Sequence, residues 1–277
     1  MSLKFLLPTF RNRHRFVQAC LEKYAPLANG KPTVSKALHL GTGEGDYDRM
    51  LAAYCEQLIS CDINEEDLAC AQRLNADLLN VIYEKNDALN LSYADATFDL
   101  VVSCEVIEHV GEPRQMLAEV HRVLRPGGLL IMTFPSRHFP FTYDPVNFLW
   151  LRWRTPHQRE YAISQGAYAF GHNYLIDQQE FLQWAHAQRF EVLEQCRLSR
   201  YLVGLLEMYH TGVLQRLLKR NARNSVQTQT TSFAIRPQSN RPPRLTALTD
   251  AILWLDRNLF CWSKASVGMG MVLKKSK

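Results

Sequence analysis

No stretch of this 277-residue chain approaches the ~20 consecutive apolar residues that a bilayer-spanning helix needs. Cysteine is sparse and poorly placed for cross-linking. The seven residues, at 20, 55, 61, 70, 104, 196 and 261, are odd in number and contain no CxxC pair. Neither a disulfide framework nor a zinc ribbon fits that spacing, and reduced, mostly buried thiols are expected. The opening "MSLKFLLPTFRNRHRF" has too short an apolar patch for a secretory signal, so cytoplasm is the expected compartment. Acidic residues almost vanish beyond residue 196. There the chain carries 14 Lys+Arg against Glu207, Asp250 and Asp256, a net of +11, whereas residues 1–196 carry 18 Lys+Arg against 24 Asp+Glu, a net of −6. A basic C-terminal third suits an anionic partner such as lipid headgroups, nucleic acid or a phosphorylated substrate, or is a solvated surface with no partner.

What is present is a soluble-protein balance, 47% apolar and 21% charged, in a chain long enough for a full core. Residues 10–28 read as a helix, 35–41 as a strand, 46–55 as a helix, 57–63 as a strand and 64–76 as a helix with Asn64 as N-cap. A short strand near 80–84 precedes the buried strand "FDLVVSCEV" (98–106). Helix 112–124 follows, with Pro113 in its first turn; "RPGG" then breaks the chain before strand 129–135. Repeated β-α-β alternation with short loops predicts an α/β, Rossmann-like doubly wound sheet. Residues 136–176 are crowded with aromatics and read as a lid. Helix 177–188 and strand 190–198 resume the rhythm. A helix over 201–219, a polar loop at 221–244, an amphipathic helix at 245–264 and a final strand complete the reading. The expected organisation is an N-terminal helical cap (1–35), a core (36–200) holding the lid, a basic helical insertion (201–265) with a mobile loop, and a closing strand and tail (266–277).

The stretch "ALHLGTGEGDYDRML" places Gly41, Gly43 and Gly45 directly after the first strand. Such a turn brings backbone close to a ligand at the carboxyl edge of a sheet. A nicotinamide site wants GxGxxG, and here the third position of that match is Asp46. Glu44, Asp46 and Asp48 would repel a pyrophosphate at that helix start, but not a ligand bearing a sulfonium and an ammonium. Asp62, at the end of the second strand and 17 residues after Gly45, is placed to accept both ribose hydroxyls. Asp87, after the third strand, can accept from an adenine amino group.

The ordered set "ALHLGTGEG", "LISCDIN", "NDALNLSYADATFDLVVSCEVIEHV" and "MLAEVHRVLRPGGLLIMTFP" resembles the class I S-adenosylmethionine-dependent methyltransferases. Residues 36–135 carry the resemblance closely, and "GHNYLIDQQEFLQWAHAQRFEVL" continues it loosely. It implies a seven-stranded sheet with the last strand antiparallel. It also implies that Gly41, Thr42, Gly43 and Gly45 line the methionine portion, that Asp62 with Ile63 holds the ribose, that Asp87 and Ala88 meet the adenine, and that Cys104 and Glu105 sit under the reactive centre. The family usually carries an acidic residue two before the first glycine, which helps orient the cofactor; here that residue is His39, a departure that motivates a non-catalytic adenosylmethionine-binding protein as one alternative.

Glu105, Glu108 and His109 are spaced i, i+3, i+4 and share a face in a helical turn, where two carboxylates and an imidazole could hold Mg²⁺ or Mn²⁺. The text there resembles that of the ubiquinone-biosynthesis O-methyltransferases and of the small-RNA 3′-terminal 2′-O-methyltransferases, which use a cation to acidify a hydroxyl. The opposing reading has His109 packed under the lid or acting as a base, and it is favoured here. His109 and His172 are the catalytic candidates. The expected reaction is O-methylation of a small aromatic or lipid-linked hydroxyl. The basic C-terminal helices offer peripheral membrane contact, and RNA 2′-O-methylation ranks below that reading because no RNA-binding module is recognisable.

Overall fold

Four apolar runs that read as buried strands form the middle of a seven-stranded sheet. The computed structural model describes residues 3–138, 176–206 and 246–276. A 3₁₀ turn (Leu3–Leu6) leads into α1 (Pro8–Tyr24), then β1 (Val34–Leu40), α2 (Asp48–Ala52), β2 (Cys55–Asp62), α3 (Glu65–Leu74) and β3 (Val81–Lys85). β4 (Phe98–Cys104), α4 (Pro113–Val123), β5 (Leu124–Pro135), α5 (Gln178–Ala187), β6 (Phe190–Leu198), α6 (Tyr201–Leu205), α7 (Thr246–Leu259) and β7 (Gly268–Lys275) follow. Most of the aromatic lid (with His172), the 201–219 helix beyond residue 206 and the 221–244 loop lie outside the described residues.

The strand order is β3-β2-β1-β4-β5-β7-β6. β1 pairs in parallel with β2 and β4, β2 with β3, and β4 with β5, whereas β7 runs antiparallel to both β5 and β6. The closing antiparallel strand expected at the tail is therefore in the sheet. The alternation of strand side chains divides the core into two layers. Leu38, Leu40, Val101, Leu130 and Met132 pack with Met116, Leu117 and Val120 of α4 and with Phe181 and Trp184 of α5. Ala37, Leu58, Leu100, Val102 and Ile131 pack on the opposite face with Phe10, Phe16, Val17 and Leu21 of α1. Gly270 of β7 permits the approach of α1, because a Cβ there would lie 2.6 Å from the Phe16 ring.

Local rules account for most element ends. Asn64 caps α3 by accepting from the Glu66 and Asp67 amides, and three acids fill that helix's first turn. Asp177 caps α5 in the same way. Two boundaries differ from expectation. α2 is five residues rather than a helix over 46–55, because Cys55 already belongs to β2. "RPGG" does not separate α4 from the strand: β5 begins at Leu124, with a register shift between Phe98↔Leu124 and Leu100↔Leu129 that takes up the turn at Gly127 (φ 81°). The strand order reverses between β1 and β4, so a crevice opens at their carboxyl ends, where open α/β sheets bind ligands.

Candidate functional site

β1 ends at Leu40 and the backbone turns through Gly41, Gly43 and Gly45, at φ 75°, 52° and 76°. A Cβ at Gly41 would lie 2.2 Å from Cγ2 of Val106, so both the conformation and the space there demand glycine. At Gly43 no atom lies within 4 Å of an added Cβ. The turn is anchored to β2 by the Gly41 and Thr42 amides, which donate to the Cys61 carbonyl at 2.9 and 3.0 Å. Asp62 closes it: Oδ2 accepts from the Gly43 amide at 2.8 Å and Oδ1 from the Asn64 amide at 3.0 Å.

These loops wall a cleft of about 610 Å³. Its lining includes Gly41, Thr42, Gly43, Asp62, Ile63, Asp87, Ala88, Cys104, Glu105 and His109. All the cofactor candidates read from the sequence except Gly45 thus surround one space. Gly45 lies behind the turn, where a Cβ would meet Ala71 at 2.8 Å. Asp87 Oδ1 accepts from the Leu89 amide at 2.9 Å, which fixes the third loop.

Beneath the turn lies Asp48, fully buried. Its carboxylate receives Thr42 Oγ1 (3.0 Å), Ser60 Oγ (2.9 Å) and the Tyr83 hydroxyl (2.9 Å), and His39 Nδ1 is 2.6 Å from Oδ1. Of the three acids expected to repel a pyrophosphate, Asp48 therefore faces away from the ligand space, into this cluster. Glu44 and Asp46 do line the cleft.

The N-terminal segment completes the site, and nothing in the sequence pattern signalled it. Lys4, Phe10 and Arg13 line the same cleft. Lys4 Nζ lies 2.8 Å from Glu44 Oε2 and 2.5 Å from Asp46 Oδ2. Burial pulls the Lys4 ammonium down, but the two carboxylates outweigh it and hold it above its ordinary value. Burial raises the Asp46 carboxyl despite the lysine beside it. From α1, Arg13 Nη1 pairs with Glu105 Oε2. Glu105 follows β4 at φ 57°, a left-handed conformation uncommon for a residue with a side chain. It is held there by its amide donating to the Thr133 carbonyl at 2.9 Å and by Thr133 Oγ1 donating to Oε1 at 3.1 Å. Burial pushes the thiol of Cys104 beside it up to about 12.

The cation site expected on Glu105, Glu108 and His109 is not assembled. Glu105 is engaged by Arg13 and Thr133. Glu108 is fully buried and outside the cleft lining, its carboxyl raised well above the usual range by burial and then by the Glu105 charge. Its closest ionic neighbour is His109, Nε2 to Oε1 at 3.9 Å. Among the described residues no three His, Cys, Asp or Glu side chains cluster as a metal would require. A guanidinium already on one donor, and a second carboxyl that is fully buried and outside the cleft, do not fit Mg²⁺. His109 itself is 46% exposed at the cleft. The second catalytic candidate, His172, lies outside the described residues.

Residues 38–132 match the family model described as a methyltransferase domain. The ubiquinone biosynthesis O-methyltransferase of Parvibaculum lavamentivorans is 33% identical over 101 residues, 36% of this chain and 40% of that protein. The dimethylglycine N-methyltransferase of Parasynechococcus marenigrum is 36% identical over 125 residues, 44% of this chain and 43% of that protein. The chain thus spans about two fifths of the length of these curated relatives. Among solved structures, the Haemonchus contortus phosphoethanolamine N-methyltransferase 2, complexed with phosphomonomethylethanolamine and S-adenosylhomocysteine, superimposes with a TM-score of 0.57 at 18% identity, covering 95% of this chain and 53% of that one. The [4+2]-cyclase SpnF superimposes with a TM-score of 0.59 at 15% identity, over 95% of this chain and 81% of that one. Residues 38–132 are thus similar to a methyltransferase domain, on a sheet that shares the fold of those structures. The matched relatives act at both oxygen and nitrogen, so the domain alone does not name the accepting atom.

Proposed function

We propose that this chain transfers a methyl group from S-adenosylmethionine to a hydroxyl of a small aromatic or lipid-linked acceptor. The observation that carries the reading is the single cleft walled by the Gly41–Gly43 turn, Asp62, Asp87 and Glu105. In this reading the glycine turn lies along the methionine portion, Asp62 with Ile63 takes the ribose, and Asp87 with Ala88 meets the adenine. When bound, the cofactor supplies a methyl group made electrophilic by its sulfonium. The chain's own residues position the acceptor and remove its proton. His109, at the cleft and adjoining the buried Glu108, accepts that proton on its imidazole. His172 is the alternative base.

The lipid-linked acceptor is supported by α7. Leu248, Leu255 and Leu259 form one stripe at helical spacing on α7 and are 71%, 41% and 59% exposed, and Trp262, in the turn after the helix, is 70% exposed. Arg257 and Lys264 are exposed alongside. α7 is fixed to the element that roofs the cleft, since Arg11 and Arg15 of α1 both bond Asp250 and Thr249 Oγ1 donates to the Leu6 carbonyl. An apolar stripe with basic neighbours suits an anionic membrane surface better than a nucleic-acid backbone.

The test has two stages. Calorimetry with S-adenosylhomocysteine must first detect binding; no binding refutes the cofactor assignment. Labelled methyl transfer is then followed to soluble phenols, to polyprenylated phenols in anionic vesicles, and to RNA. Label on phenolic oxygen supports the proposal, and label on RNA or on an amine replaces it.

A further inference from the structure

We infer that His39 and Asp48 act as one unit that accepts the ammonium group of the bound cofactor. The inference rests on the adenosylmethionine reading above. His39 is a buried residue of β1 whose ring reaches the cleft lining two residues before the glycine turn. Its Nδ1 lies 2.6 Å from Asp48 Oδ1. The other groups on that carboxylate, Thr42 Oγ1, Ser60 Oγ and the Tyr83 hydroxyl, are all placed to donate to it. A carboxylate in that position orients the imidazole so that Nδ1 carries the proton and donates. The remaining ring nitrogen, Nε2, is then an acceptor, and the cleft is the space open to it.

The charge logic follows. A sulfonium cofactor brings an amino acid end whose ammonium needs an acceptor, and the cleft wall at residue 39 offers no carboxylate. The negative charge is instead one layer back, at Asp48, with the His39 ring between it and the ligand. An acceptor backed by a carboxylate is a stronger base for a hydrogen bond than a free imidazole. The same Asp48 holds Thr42 of the glycine turn, so ligand recognition and turn geometry share one anchor. Tyr47 fixes the ring from the side, edge-to-face at 5.8 Å. His39 and Asp48 are thus positioning residues for the cofactor, acting before any acceptor is present.

The test uses the full chain and three ligands: S-adenosylhomocysteine, its analogue with the amino group replaced by hydrogen, and methylthioadenosine. Wild-type protein should bind S-adenosylhomocysteine at least ~10-fold more tightly than the deamino analogue. His39→Phe should bind the two alike while keeping its affinity for methylthioadenosine, which lacks the amino acid end. Asp48→Asn, whose amide can donate to Nδ1 and turn Nε2 into a donor, should do the same or invert the preference. His39→Gln, which can present an amide oxygen, should keep part of the discrimination. Nitrogen NMR of the ring gives an activity-free readout: the tautomer protonated at Nδ1 is expected in wild type and should be lost in Asp48→Asn. Undiminished discrimination in a folded His39→Phe, or a wild-type ring protonated at Nε2, overturns the inference. Wild-type protein that binds none of the three ligands refutes the cofactor reading instead.

Discussion

Arg13, on the first helix, pairs with Glu105, the left-handed residue after β4, across 92 positions of sequence. The pair joins the roof of the cleft to its floor, and both partners are about three-quarters shielded from solvent. Replacing Arg13 by Leu leaves the Glu105 carboxylate beside the buried Glu108 without its cation. A loss of about 1 kcal/mol is expected, which at this size lowers the melting temperature by roughly 2–4 °C. Calorimetric melting of Arg13→Leu against wild type checks it, and an unchanged melting point would show that the pair contributes nothing.

Asp62 should be the most sensitive cofactor contact. Its two oxygens already order the Gly43 and Asn64 amides, so Asp62→Ala would remove the proposed ribose acceptor and loosen the turn together. Binding of S-adenosylhomocysteine should weaken by at least ~10-fold, because each charge-assisted hydrogen bond is worth ~1.5–3 kcal/mol. Equal affinity by calorimetry would remove Asp62 from the site.

Gly41 should tolerate no side chain. Gly41→Ala sets a Cβ against Val106 and forces a residue with a side chain to φ 75°. A cost of about 1–3 kcal/mol is expected from the backbone strain alone. Adding Val106→Ala should relieve the clash but not the conformational part, so the double variant should recover only some of the lost stability in a denaturant titration.

His14 should make the fold acid-sensitive. Burial, with Arg11 nearby, lowers its imidazole to about 4 from 6.5, and the ring stacks on Tyr47 with centroids 5.4 Å apart. The folded state therefore binds its proton less readily than the unfolded chain. Its contribution is fully present above pH ~6.5 and is lost as pH falls toward 4, by up to about 3 kcal/mol. His14→Phe should flatten the fall in melting temperature between pH 7 and 4.5, and identical curves for the two proteins would refute this.

Turnover should not need a divalent cation. With Arg13 on Glu105 and Glu108 buried, a chelator should leave the methylation rate unchanged, whereas His109→Ala should lower it and spare S-adenosylhomocysteine binding. Abolition by chelator and rescue by Mg²⁺ would restore the metal reading.

The strands, the Asn64 cap and the three cleft loops were legible because each rests on local rules: alternation, a side chain reaching two residues ahead, glycine at positive φ. The residues that legibility missed are held by contacts remote in sequence. Lys4 meets Glu44 and Asp46 at separations of 40 and 42, and Arg11 meets Asp250 at 239. No spacing pattern signals such pairs. His39 was legible as a departure, but its meaning was not, because Asp48 answers it from another element. The triad of Glu105, Glu108 and His109 failed for a related reason. Its i, i+3, i+4 spacing assumes a helical turn, while Glu105 stands at φ 57° and turns its carboxylate to Arg13.

The place of β7 sets a timetable for assembly. It lies between β5 and β6, and among the described residues β6 has no other strand partner. During vectorial synthesis, residues 190–198 emerge before the strand that will receive them, so β6 can only wait, tethered through α5, until residues 268–275 arrive. Until then β5 presents a bare hydrogen-bonding edge. A nascent chain stalled within residues 207–245 therefore exposes an aggregation-prone edge, which makes completion of this sheet, rather than formation of the cleft, the vulnerable moment in the protein's biogenesis.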